Sequence, residues 1–415
     1  MSEFNAMRRS VLRSAIGLGT AGVLGTAESV LAAEQQSAQS NPLRITSVRT
    51  YLVKTELKRA FGVSISVPLD TTRSALFVKI ETDAGITGWG ETAPIGGTRG
   101  AIDDALGPQL IGRNPLEYRA VTRDLWGANF YEPLAIGALD TAINDIRGKI
   151  LGVPVAELFG GRLRDRVPVY ASAMNYQEGE EPEHQYPREA ARLVEQGFTA
   201  LKMRLGRYSV KREANVAAAV RKEVGDDVKL FCDANAAYTL TDALRMGEVL
   251  HDLNFGFFEE PLPQSPDYTG YAGLRERLPL PLAGGEAIGH RSQAKSLLDR
   301  RSVDIIQPDI SLCGGIAEVL FISEMAALYG VPTIPHCWGG AILIAATTHL
   351  LSLLPDPHWG FPTDTPLLEL DQSENPWRTG IVKTPLEFKD GFMTAPTAPG
   401  LGIEVDEAVI ERYAV

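Results

Sequence analysis

The stretch Ala200 to Gly206, ALKMRLG, sets two cations two positions apart, Lys202 and Arg204, at the end of an apolar run. On a strand, residues i and i+2 share a face, so both side chains project into one place. A desolvated lysine can give up its proton, whereas a guanidinium stays charged, so the two are not interchangeable. Acids close four more apolar runs in the same way: KLFCDAN at Asp233, FGFFEEP at Glu259 and Glu260, LAGGEAI at Glu286 and IIQPDIS at Asp309. His336 ends a further run, 27 residues after Asp309. Taken singly, any of these carboxylates could be a helix N-cap. Several converging in one low-dielectric mouth would repel one another unless a cation held them. Hard oxygen donors suit magnesium or manganese, and the chain offers neither paired thiolates nor paired histidines for zinc. An aspartate beside His336 would fix the imidazole tautomer and keep the ring basic.

Short apolar runs at 167–171, 200–203, 229–232, 256–258, 282–284, 303–306 and 333–335 alternate with amphipathic helical segments. PREAARLVEQG, TLTDALRMGEVLHDL and GIAEVLFISEMAALYG are examples of the latter. Sustained alternation implies a parallel sheet, and this many units favour closure into a barrel whose strand ends share one mouth. A doubly wound open sheet would usually carry a Gly-rich phosphate loop, and neither GxGxxG nor GxxxxGK[ST] follows any of these strands. Before the alternation, ITSVRTYLV and ALFVKIETDAGITGWGE read as strands with a hairpin at Asp83-Ala84-Gly85. Ile136, Leu139, Ile143, Ile146 and Ile150 then make one apolar helical stripe. A small α+β domain therefore precedes the barrel and ends near Gly160-Gly161.

With 415 residues the chain exceeds one ordinary core, which fits two domains or one large barrel with an addition. A net charge of −12 with no basic stripe argues against a nucleic-acid partner. Cys232, Cys313 and Cys337 show no CxxC spacing and read as buried, inert thiols. At the N-terminus, Arg8-Arg9 with Val11 and Leu12 precedes a Gly/Ala-rich apolar run, which resembles a twin-arginine export signal over 1–32. That run falls short of the roughly 20 residues a membrane span needs, so no stable span is expected. Export to the periplasm is the expectation, with 33–43 as a flexible polar leader.

The pieces ALDTAINDIRGKILGVPVAELFGG, ALKMRLG, CDANAAYT, FEEPL, GGEAI, QPDISLCGG and PHCWGG resemble, in order and spacing, the enolase superfamily and its mandelate racemase subgroup. The resemblance covers nearly all of the chain after the leader. It implies an α/β fold, a modified TIM barrel (β/α)7β over 162–385 under an N-terminal α+β capping domain over 44–161. The segment 386–415 would return to the cap, and a loop within KRAFGVSISVPLDTT would close over the substrate. By the same resemblance Asp233, Glu259 and Glu286 hold Mg²⁺, with Mn²⁺ possible. Lys202 contacts a carboxylate substrate, and His336 with Asp309 forms the dyad that removes the proton α to that carboxylate. Racemising members carry a second lysine where Arg204 stands, and a guanidinium is a poor general base. One-base β-elimination of oxygen from a sugar acid or its lactone is therefore expected, as a dehydratase or cycloisomerase. A racemase or epimerase is the alternative, and an exported acid-binding protein without turnover a more distant one.

Asn235, Glu260, His290, Trp338 and Asp364 are the expected substrate contacts. Many subgroup members carry a glutamate at the end of strand eight. Around HWGFPTDTP this chain places Phe361 there, with Asp364 the nearest acid, so that glutamate is expected to be missing. The segment LELDQSENPWRTGIV resembles the matching stretch of sugar-acid cycloisomerases. Relatives form oligomers, so a homo-oligomer is expected.

Overall fold

The computed structural model describes residues 43–127, 131–264, 268–356 and 366–415. The twin-arginine segment, 33–42 of the leader, Phe361 and Asp364 lie outside the described residues.

Strands Ile45–Gly62, Asp70–Thr82 and Thr87–Thr92 pair antiparallel around a turn in which Gly85 takes φ 72°. Helix Pro133–Leu151 lies on this sheet. Its stripe Ile136, Leu139, Ile143 and Ile146 is fully buried against Leu76, Val78 and Ile80. Each such side chain contributes about 1.5–3 kcal/mol by leaving water. The close approach needs glycine: a Cβ on Gly88 or Gly90 would fall 2.1 Å from Ala142 O or 1.9 Å from Ala138 O. Helix Glu407–Tyr413, at the end of the chain, returns to this domain through Glu407, which meets Tyr51 Oη at 2.7 Å and Lys79 Nζ at 2.8 Å.

The barrel strands are Arg166–Ser172, Ala200–Arg204, Lys229–Asp233, Phe255–Glu259, Leu282–Gly284 and Ile305–Ile306, joined in parallel register. Thr333 bridges to Ile306 as the seventh position. The eighth strand, Leu368–Asp371, pairs in parallel with the first and closes the ring on that side. Seven helices stand between successive strands, from Pro182–Glu195 to Ala341–Leu353, which is the (β/α)7β order.

One residue from each of the eight positions fills the barrel floor: Tyr170, Ala200, Phe231, Phe257, Ala283, Ile305, Ile334 and Leu367. Phe231 and Phe257 stack at 4.2 Å and Tyr170 meets Phe231 edge-on at 5.5 Å. Because strand side chains alternate, the residue two places after each floor residue sits one layer higher on the same inner face. That layer is Ser172, Lys202, Asp233, Glu259, Gly285, Gln307, His336 and Glu369. An apolar plug thus carries a polar layer, and the polar layer is the candidate site. The three cysteines are free and buried, and among the described residues no helix is long and apolar enough to cross a membrane.

Candidate active site

Register places the charged strand ends side by side. Arg204 pairs with Asp233, and Asp233 with Glu259. Glu286 follows Gly285, whose φ of 119° and tight neighbours, Ile288 Cδ1 at 3.0 Å and Gln307 N at 3.4 Å from a built Cβ, exclude a side chain. One carboxylate oxygen each from Asp233, Glu259 and Glu286 lies within 4.8 Å of the other two.

These acids are held unevenly. Lys202 Nζ reaches both Glu259 oxygens at 2.9 Å, Glu369 Oε1 at 2.7 Å and Asp233 Oδ2 at 3.5 Å. Arg204 grips Asp233 Oδ2, and also donates to Asn235 Oδ1 at 2.9 Å and Ser172 Oγ at 3.2 Å. Burial disfavours both cationic charges. Glu259 and Glu369 outweigh it at Lys202, and Asp233 and Glu369 at Arg204, so both stay charged above their ordinary range. Neither can serve as a base in this arrangement.

Burial pushes Glu259 up to about 8 against the pull of Lys202, with Asp233 adding repulsion. It also raises Glu286, whose Oε2 accepts no hydrogen bond. Three carboxylates converging in one place, Asp233 and Glu259 fully buried and Glu286 partly so, fit a hard divalent cation. Asp233, Glu259 and Glu286 are the residues that would hold it.

Opposite them, His336 Nδ1 lies 2.6 Å from Asp309 Oδ2, and Asp309 Oδ1 accepts from Ser311 N and Oγ at 2.6 and 2.7 Å. This fixes the ring with Nε2 directed toward Glu286, 3.4 Å from its Oε2. Burial lowers the imidazole's affinity for a proton, but Glu286 and Asp309 outweigh it and push the ring up to about 10.

Above this layer is a cavity of about 440 Å³ lined by Arg204, Asn235, Glu286, Asp309, His336 and Trp338 from the barrel, and by Phe61, Val63, Val67 and Arg73 from the cap. The segment 62–69 lies across the mouth. Ile65 N donates to Gly206 O at 3.0 Å, and Ser64 and Ser66 hydroxyls donate to Asn235 O and Ala236 O at 3.3 Å. Trp338 stands between two guanidiniums, Arg204 at 4.9 Å and Arg73 at 5.2 Å from the ring centroid.

Lys202, Arg204, Asp233, Glu259, Glu286, Asp309 and His336 are therefore brought together, with Asn235 and Trp338 in the cavity wall. Two expected substrate contacts are corrected. Glu260 sits behind the wall at φ 37°, its Oε1 accepting from Gly285 N at 3.1 Å and Tyr268 Oη at 3.2 Å, where it braces the turn that presents Glu286. His290 packs against Trp126 and Tyr131 at 5.0 and 5.4 Å and does not line the cavity.

The expected loss of the strand-eight glutamate is also corrected, because Leu368–Asp371 pairs with the first strand in the eighth position. Glu369 stands on it, fully buried, with Oε2 accepting from Cys337 N at 3.1 Å. Burial would raise it, but Lys202, His336 and Arg204 prevail and hold it well below the usual carboxylate range. Its signal was the alternation in LLELD, where Leu367, Glu369 and Asp371 share one face. Arg73 was missed as well, since nothing local marks a cap-strand arginine as facing a barrel.

A family model described as "Enolase C-terminal domain-like" matches residues 185–409, and one described as "Mandelate racemase / muconate lactonizing enzyme, N-terminal domain" matches 47–160. The chain is 34% identical over 379 residues to D-galactarolactone cycloisomerase from Agrobacterium fabrum, covering 89% of this chain and 99% of that one. It is 33% identical to arabinonate dehydratase from Saccharolobus solfataricus, over 81% of this chain and 90% of that one. The crystal structure of 3,6-anhydro-D-galactonate cycloisomerase from Zobellia galactanivorans superposes with a TM-score of 0.79 at 32% identity, covering 90% and 99% of the two chains.

Proposed function

Since the chain belongs to the mandelate racemase/muconate lactonizing enzyme family of the enolase superfamily, we propose that it removes the proton α to the carboxylate of a sugar acid or its lactone and expels a β-oxygen. The reaction is a dehydration or a cycloisomerisation, in keeping with the names of its relatives. The observation that carries this reading is the meeting of three strand-end carboxylates, of which Glu286 lines the same cavity as the His336–Asp309 pair.

A magnesium ion on Asp233, Glu259 and Glu286 would supply Lewis-acid stabilisation to the substrate carboxylate. The chain's own residues do the rest. Lys202 and Arg204 place positive charge where the enediolate develops, beneath the segment 62–69 that lies across the mouth. Were Glu286 to hold a cation, His336 would lose its largest anionic neighbour, which would favour the neutral ring that a base requires. Asp309 fixes its tautomer, so Nε2 takes the α-proton. The resulting imidazolium can return that proton to the departing β-oxygen. Glu369, being ionised, serves as the counter-charge of Lys202 and supplies no proton. Arg204 standing in an ion pair with Asp233 leaves no second base, which disfavours racemisation.

Incubation with Mg²⁺ and a panel of acid sugars and lactones in D₂O should show α-deuterium exchange or β-elimination, and EDTA should abolish both. His336→Asn should lower the exchange rate by about 10²–10⁴-fold, the range of general-base contributions. Undiminished exchange in that variant would remove His336 from its assigned role. Export through the twin-arginine-type segment belongs to the same proposal, and would be tested by fractionating cells that carry the Arg8→Lys, Arg9→Lys chain.

A further inference from the structure

The cavity has two unlike ends. At the reacting end Arg204 keeps a buried Nε with no hydrogen-bond partner. Toward the cap, the only other arginine or lysine among the described lining residues is Arg73. It is already committed: Nη2 meets Asp371 Oδ2 at 2.8 Å and Nη1 donates to Ser373 Oγ at 2.7 Å. Of the carboxylates that line the cavity, Glu286 and Asp309 belong to the reacting end, and Asp70 and Glu91 come from the cap. The lid supplies Phe61, Val63 and Val67, which cannot neutralise charge.

From this distribution we infer that the substrate is a monocarboxylate: the carboxylate beside the reacting carbon is its one charge, and its far end is uncharged. An aldonic acid, or the lactone of a diacid, meets that description, and an open-chain aldaric acid does not. The inference rests on the proton-abstraction reading above and narrows it. A second carboxylate at the cap end would meet Phe61, Val63, Val67 and Asp70, with no unpaired cation among the described lining residues to receive it. A charge set against apolar groups and an acid without a cation is disfavoured, and like charges juxtaposed across a binding surface suppress the wrong ligand.

The test compares matched pairs, galactonate with galactarate and gluconate with glucarate, together with galactarolactone, by α-deuterium exchange in D₂O with Mg²⁺. For the stereochemistry the enzyme accepts, kcat/KM for the monoacid should exceed that for the diacid by about a hundredfold. Val67→Lys, which adds a cation to the lid, should reduce that preference at least tenfold. Diacids exchanging as fast as their monoacid partners would overturn the inference and leave proton abstraction standing. A preference that Val67→Lys leaves unaltered would also overturn it, because selection would then not arise from charge. Absence of exchange with every acid would instead defeat the parent reading, and this inference with it.

Discussion

Lys202 is an ammonium with no exposure to water, and such a charge costs several kcal/mol unless its partners are well placed. Two of those partners, Glu259 and Glu369, come from the fourth and eighth barrel strands. If Glu259 is engaged by a cation, Glu369 remains as the main anion holding Lys202. Glu369→Gln keeps the shape and removes the charge, so Lys202 should lose part of its hold on its proton and its fixed position. The expected result is a fall in kcat/KM of about 10–100-fold with Mg²⁺ affinity nearly unchanged, read by steady-state kinetics alongside Mg²⁺ titration. A variant with full activity would make Glu369 a packing residue only. The charged residues on strands two to seven were legible in the sequence because each closes a short apolar run. Glu369 lies inside one, in LLELD, so only the period-2 face distinguishes it from a buried hydrophobe's neighbour. Counting from Phe361 set the eighth strand several residues too early.

Helices and strands of the barrel were legible because an apolar run and an amphipathic stripe are local signals. What joins the cap to the barrel is not local. Glu91, on the third cap strand, accepts from Leu343 N at 3.1 Å and from Gly340 N, a residue 249 positions away, at the start of helix Ala341–Leu353. Asp140, on the cap helix, accepts from Ile316 N at 2.8 Å, at the start of helix Ile316–Leu328. These two helices follow the positions that carry His336 and Asp309, so carboxyl groups of one domain anchor the dyad of the other by accepting from N–H groups left free at helix N-termini. Glu91→Ala leaves two buried N–H groups without an acceptor. It should destabilise the protein by about 2–4 kcal/mol and lower kcat more than it raises KM, since the His336–Trp338 turn loses its anchor. Glu91→Gln, which retains an acceptor, should recover most of both. Thermal unfolding together with kinetics on the three proteins tests this, and equal kcat in wild type and Glu91→Ala would separate the anchor from the dyad.

Across the whole molecule the last fifteen or so residues lace the two domains together. Leu401 N donates to Asp145 Oδ1 of the cap helix at 2.9 Å, Val155 N donates to Gly400 O at 2.8 Å, and Val415 N reaches Leu52 O at 2.9 Å. His349, fully buried on helix Ala341–Leu353, donates from Nε2 to Leu401 O at 3.2 Å, while its Nδ1 has no partner. Burial pushes this imidazole down from 6.5 to about 4. Between those values the unfolded chain binds a proton that the folded protein refuses, so stability falls as pH drops from about 6.5 toward 4. At 1.36 kcal/mol per unit, the loss by pH 4 is about 3 kcal/mol. Glu91 acts in the opposite sense. Burial raises it from 4.5 to about 7, so the folded state holds a proton that the unfolded chain releases, and its contribution to stability fades as pH rises through 7. A wild-type acid titration therefore mixes the two, and a difference against His349→Gln isolates one. In denaturant unfolding at pH 7, 5.5 and 4, the free-energy advantage of wild type over His349→Gln should shrink by about 3 kcal/mol across the series. If the advantage is the same at all three, the joint between helix Ala341–Leu353 and the C-terminal segment is not where acid acts on this protein.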